Sequence, residues 1–182
     1  MTAAPGSPMS GLVICRGLPG AGKSYWTRMR LQEVAETGRR GTVVRSNRGD
    51  HRRMMIDSEY IEPNDSLVEN VVTAAQHSAI NTLLQATVSV ICDDTNLALS
   101  HVYLLCDLAR ELSAPFHIVD FPTPLQYCIN RDARRRKYDQ VGIEVIRRMY
   151  DTHLAPYGGQ LPPIGGEYSG HVTTQRTESG VS

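Results

Sequence analysis

The chain has 182 residues, and 19 Lys and Arg balance 19 Asp and Glu, for a formal net charge of zero. That length suits one α/β domain with a real core and excludes two large ones. The neutral balance excludes a global field that would draw the protein onto nucleic acid or a membrane.

Residues 1–10 carry neither the basic start nor the apolar stretch of a signal peptide and read as a flexible leader. No apolar run approaches the roughly 20 residues that span a bilayer, so no membrane partner is expected. The first strand candidate is Leu12–Cys15. It runs into Gly17, Leu18, Pro19, Gly20, Ala21, Gly22, Lys23 and Ser24, and a helix is predicted over Lys23–Glu36 with Gly38 as its C-cap. Thr42–Arg45 is the second strand candidate, and a basic stretch, Arg45 to Met55, follows it. A long helix is predicted over Ser66–Ala86, with Leu67, Val71, Ala74, Ser78, Thr82 and Ala86 on one face. Val88–Cys92 reads as a strand that ends in Asp93, Asp94, Thr95 and Asn96. Ser100–Leu112 reads as a helix with a serine N-cap, Phe116–Phe121 as a strand, and Leu125–Arg135 and Ile143–Leu154 as helices.

The strand candidates are short, mostly apolar and often β-branched, as strands buried on both faces are. Their alternation with helices predicts an α/β fold with a parallel sheet and right-handed crossovers. One domain is expected over about residues 10–160. From residue 161 the composition, Gly- and Pro-rich and then polar from Thr173, predicts a disordered tail; packing of its first part on the domain is the alternative, and Leu161–Ile164 reads as a surface loop. Cys15, Cys92, Cys106 and Cys128 form no C-x-x-C pair and read as small buried hydrophobes in a reducing cytoplasm. The six histidines lack ligand spacing, so no structural zinc is expected.

Three stretches besides the glycine loop carry chemistry. The segment G-x-x-x-x-G-K-S between a strand and a helix is a phosphate-binding loop. Its glycines let successive N–H groups turn inward, and the helix N-terminus adds partial positive charge. Lys23 then reaches the β and γ phosphates of ATP and the Ser24 hydroxyl ligates Mg²⁺. The stretch Arg48, Gly49, Asp50, His51, Arg52, Arg53 follows a strand at the carboxyl edge of the sheet. There a carboxylate is suited to accept a hydroxyl proton and arginines to hold an anionic acceptor; a solvated basic helix start is the plainer reading. At the next strand end, Asp93 and Asp94 place carboxylates beside the Mg²⁺, with Asp94 a ligand or instead the partner of an acceptor-site arginine, and Thr95 and Asn96 shaping the turn. Finally, five positive charges fall in the seven residues Arg131–Lys137, with Arg131, Arg134 and Arg135 near one helical face. This is a lid over the phosphates, or else a solvated helix end favoured by the dipole.

Together GLPGAGKS, SNRGDHRRMM, ICDDTNL and CINRDARR, followed by VGIEVIRRMY, resemble the phage-type polynucleotide 5′-kinases over residues 11–153. The resemblance implies a P-loop NTPase fold of adenylate-kinase-like type with an arginine-rich lid. It implies transfer of the ATP γ-phosphate to the 5′-hydroxyl of DNA or RNA, with ATP and Mg²⁺ required. By the same resemblance Arg52 grips the acceptor phosphate, Asp94 supports Arg52, and Arg135, or Arg136 in its place, stabilises the transferring group. The family's general base falls at Gly49, which bears no carboxylate. Either Asp50 swings into the base position with Arg53 as its partner arginine, or the base is missing and the chain is slow or a binding module. A family phosphatase domain opened by Asp-x-Asp-Gly-Thr has no counterpart motif here. A kinase for another acceptor, a small metabolite or a tRNA-linked group, stays open beside these readings. The sequence does not fix DNA against RNA or the oligomeric state.

Overall fold

A computed structural model of the chain describes residues 11–55 and 66–175. The expected leader and the last seven residues lie outside them. The described residues form a parallel sheet in the order β2-β3-β1-β4-β5. Its strands are β1 (Leu12–Arg16), β2 (Val43–Ser46), β3 (Ser89–Cys92), β4 (Phe116–Asp120) and β5 (Val172–Thr174). The helices are α1 (Lys23–Glu36), α2 (Arg48–Met55), α3 (Ser66–Gln85), α4 (Leu99–Glu111), α5 (Leu125–Ala133) and α6 (Ile143–His153).

β1 is central because every one of its five residues is buried, and its side chains alternate between two cores. Leu12 and Ile14 face α3 and α4 through Ile80, Leu84, Val102 and Leu105. Val13 and Cys15 face the other side, where Leu18 of the glycine loop, Phe121 after β4, Cys128 and Ile129 of α5 and Ile146 of α6 close the layer, with Trp26, Leu31 and Val34 of α1 packed against it. Covering both faces is what requires near-continuous apolar strands. All four cysteines are buried, and none is in a disulfide.

The chain departs from its sequence pattern at several places. The buried stripe of α3 is Val72, Gln76, Ile80 and Leu84, one step round from the expected face, and Leu67 and Val71 are exposed. Hydropathy misplaces this stripe because Gln76, a polar residue, is fully buried to serve the site below. Helix α4 begins one residue earlier than expected, at Leu99, with Ala98 as N-cap and no side-chain cap, so Ser100 lies inside its first turn. Helix α5 ends at Ala133, two residues short of the expected end. There Asp132, 3% exposed, accepts the N–H groups of Val141 at 3.1 Å and Gly142 at 2.9 Å, which folds the chain back to start α6.

The largest correction is the tail. Residues 161–175 are part of the fold. The buried Arg16 guanidinium donates to the Pro162 carbonyl at 2.6 Å, and Ile164 joins the core. Tyr168 stacks on Tyr103 at 5.0 Å, and Val172–Thr174 pairs in parallel with β4. Leu161–Ile164 therefore packs on the domain and is not a free surface loop.

Candidate active site

The phosphate loop crosses from β1 to α1 at the carboxyl edge of the sheet. Gly22, at φ 103°, is the left-handed N-cap of α1, and Gly20 is at φ 83°. A Cβ on Gly20 would stand 2.5 Å from the Cys128 carbonyl oxygen, so α5 closes directly onto the loop and only glycine fits. The Gly17 N–H donates to the Thr95 carbonyl at 2.9 Å, which ties the loop to the turn after β3. Lys23, 7% exposed, folds back and donates to the carbonyls of Gly17 at 2.7 Å and Leu18 at 2.8 Å. Burial pulls its pKa below the ordinary lysine value, and Asp93 is the foremost charge working in the other direction. Ser24 is half-buried at the second position of α1.

The two aspartates after β3 divide their work. Asp94 is saturated: one oxygen accepts Gln76 Nε2 at 2.6 Å, and the other accepts Asn47 Nδ2 at 3.1 Å and the Arg48 backbone N–H at 3.0 Å. Asp93 is 1% exposed; its Oδ2 accepts Arg45 Nε at 2.6 Å, while its Oδ1 has no hydrogen-bond partner among the described residues. A buried carboxylate oxygen left without a donor is costly unless a ligand completes it. Carboxylate and hydroxyl oxygens, the chemistry that Asp93 and Ser24 carry, are the ligands that suit Mg²⁺. Asp94 thus holds the Asn47–Arg48 turn, while the charge of Asp93 acts on Lys23.

The acceptor-side residues come together on α2, with different partners from those expected. Arg52 donates through Nε at 3.0 Å and Nη2 at 2.5 Å to Glu69 of α3, and is not supported by Asp94. Gly49 lies in the first turn of α2 without a left-handed φ, so it does not act as a flexible loop residue. Asp50 is 44% exposed, and its two oxygens accept from Arg45 and from Arg53. The same Arg45 thus spans Asp50 and Asp93. Burial opposes its charge, but the hydrogen bond from Asp93 and the two carboxylates outweigh that and raise its pKa. The sequence marked the Asp93-Asp94 strand end but carried no signal for Arg45 as the partner of both carboxylates.

Thr95 and Asn96 shape the turn after β3. The Asn96 amide points inward and donates to the Cys15 carbonyl at 2.8 Å, at a left-handed φ of 43°. Behind the turn lies a cavity of about 240 Å³ lined by Arg48, Thr95, Asn96, His101, Met149 and His153. His101 stacks on His77 at 5.1 Å, and burial, aided by Arg48, pushes its pKa down to about 4. On the lid side, Arg131 donates to the Gly20 carbonyl at 3.4 Å and so lies over the loop. Arg135 sits beyond the end of α5 and pairs with Asp132 at 3.5 Å. Arg134 is the C-cap, so the single basic face expected for Arg131, Arg134 and Arg135 is broken.

A central parallel strand, a glycine loop at its carboxyl end and a lysine-headed helix define a P-loop nucleotide-binding domain of kinase type. A family model described as AAA domain (AAA_33) matches residues 12–157, and the chain belongs to this family. The L-seryl-tRNA(Sec) kinase of Methanococcus maripaludis is 26% identical over 156 residues, which are 84% of this chain and 57% of that protein. The chain therefore spans little more than half of that curated relative. Among solved structures, a chain of the Pnkp1/Rnl/Hen1 RNA repair complex superposes with a TM-score of 0.65 at 22% identity, over 90% of this chain and 50% of that one. Chaetomium thermophilum Kti12 in complex with ADP-AlF3 superposes with a TM-score of 0.67 at 17% identity, over 92% and 89% of the two chains. These likenesses are of fold. Among the described residues no helix is long and apolar enough to cross a membrane.

Proposed function

We propose that the chain is an ATP- and Mg²⁺-dependent kinase whose acceptor is a hydroxyl on a nucleic acid, with the 5′-hydroxyl of a polynucleotide as the first candidate. The observation that carries this reading is one of placement. The phosphate loop and the arginine-bearing helix α2 stand side by side at one sheet edge, joined by the turn after β3 through Gly17–Thr95 and Arg48–Asp94. Such transfer relies on positioning and charge neutralisation more than on covalent chemistry.

In this reading the loop N–H groups and Lys23 hold the triphosphate, and Lys23 exchanges its contacts to Gly17 and Leu18 for phosphate oxygens. Ser24 and Asp93 are the residues that would hold Mg²⁺, which when bound neutralises charge on the transferring phosphate. Arg131 covers the loop from the lid, and Arg135, half-exposed, is freed for the phosphates if its pair with the buried Asp132 opens. Arg48 and Arg53 face the acceptor strand, and Arg52 joins them by leaving Glu69. Asp50 receives the hydroxyl proton on the oxygen that Arg53 releases when it turns to phosphate, while Arg45 keeps hold of the other. The cavity lined by Arg48, His101, Met149 and His153 receives the end of the acceptor.

A second reading, transfer to a hydroxyl carried on an aminoacyl-tRNA, is favoured by the similarity to the seryl-tRNA kinase. One assay separates the two. With γ-labelled ATP, a 5′-hydroxyl oligonucleotide should be labelled and its 5′-phosphorylated twin should not. Label on seryl-tRNA alone would transfer the assignment to the second reading, and label on neither would contradict both.

A further inference from the structure

Arg45 bridges the nucleotide side and the acceptor side with a single guanidinium, shared between Asp93 and Asp50. It projects from β2, which pairs in register with β3 so that Ser46 lies opposite Cys92 and Asp93 follows directly. Its guanidinium offers Nε to Asp93 Oδ2 at 2.6 Å and Nη1 to Asp50 Oδ2. Asp93 is buried, and its other oxygen has no partner among the described residues. Asp50 is half-exposed and shares its second oxygen with Arg53.

We propose that Arg45 is a positioning residue that couples cation binding at Asp93 to its own grip on Asp50. This rests on the kinase reading for the roles of the two carboxylates, but not on the identity of the acceptor. One guanidinium charge is divided between two carboxylates. Whatever weakens its hold on one strengthens its hold on the other, since binding free energies at linked sites are reciprocal. A divalent cation at Asp93 competes with Arg45 for the same carboxylate, and Arg45 then pairs more fully with Asp50. Conversely, a neutral residue at position 50 leaves the whole charge on Asp93, where it opposes the cation. The planar fork is what makes the bridge, and a lysine ammonium cannot span both partners in this geometry. The arrangement gives the acceptor-side carboxylate a means of responding to the loaded state of the phosphate site.

The test is a double-mutant cycle read by Mn²⁺ binding in the presence of ADP, followed by electron paramagnetic resonance. The four proteins are the unaltered chain, Asp50→Asn, Arg45→Gln and the double variant. Asp50→Asn should weaken Mn²⁺ binding about 5-fold in the Arg45 background. Arg45→Gln should tighten it, and adding Asp50→Asn to Arg45→Gln should then change nothing. Arg45→Lys, which keeps the charge and should keep the melting temperature, should lose the dependence on Asp50 as well. An Asp50→Asn effect of the same size in both backgrounds would overturn the coupling and leave only a direct field from Asp50. No effect in the Arg45 background would overturn it too, with the kinase reading intact. Absence of any Mn²⁺ and ADP binding would overturn the coupling together with the phosphate-site reading.

Discussion

The two halves of the site are built from different materials. The nucleotide half is made of backbone: glycines at positive φ, a helix N-terminus and one buried lysine. The acceptor half is made of charged side chains on α2, a helix with no buried residue, and each of them is already paired with a neighbour. Backbone geometry tolerates little change and leaves a fixed pattern of residues. Side-chain pairs at half-exposed positions are individually weak and exchange partners readily. A fixed cradle thus faces a re-formable clamp, and in the proposed function it is the clamp that selects the acceptor.

The largest break in this comparison should come from the cradle. Lys23→Ala should lower kcat by about 10²–10³ in the transfer assay, because it removes a fixed charge aimed at the transferring phosphate. Asp50→Asn should lower kcat on the order of 10²-fold with the ATP KM unchanged, as removal of a proton acceptor does in steady-state kinetics. Unchanged turnover would remove Asp50 from the mechanism. The joint between the halves is sharpened by Asp94→Asn. Asp94 accepts from Gln76, Asn47 and Arg48, and bonds to a charged group contribute about 1.5–3 kcal/mol each, so the urea midpoint should fall clearly. Asp93→Asn leaves one oxygen that had no partner, so it should cost less stability and more cation affinity than Asp94→Asn.

The smallest expected effect is on pH dependence. The His101 pKa lies near 4 in the folded chain, against 6.5 for the free side chain, chiefly through burial. The unfolded chain then binds the proton first, so stability holds above about pH 6.5 and declines as the pH falls toward 4. His77, held low by burial and by Arg48, adds to the same slope. Urea midpoints measured across that range should fall on the acid side, and less so for His101→Gln.

The contrast also accounts for what the sequence made legible. Helix α1 follows its predicted bounds, Lys23–Glu36, because the loop before it and Gly38 after it, at φ 77°, are local backbone signals. The strand β5 went unseen because three residues in a polar stretch are held by distant partners, Arg16 at Pro162 and Tyr103 at Tyr168. Asp93 and Asp94 are adjacent in the turn after β3, and Asp93 reaches Arg45 while Asp94 reaches Gln76. The sequence shows the pair, but the choice between metal site and turn depends on which side faces Lys23 and which faces Gln76. Likewise the partner of Arg52 is Glu69, supplied by α3 across a packing contact that no local pattern encodes.

The central claim is that the backbone cradle with Lys23 binds a magnesium nucleotide independently of the acceptor side. Calorimetric titration of the whole chain with Mg·ATP, set beside Lys23→Ala and Arg48→Ala, tests it most directly. Saturable heat and thermal stabilisation should appear for the unaltered chain and for Arg48→Ala, and both should be much reduced in Lys23→Ala. Silence from the unaltered chain, or undiminished binding by Lys23→Ala, would contradict it.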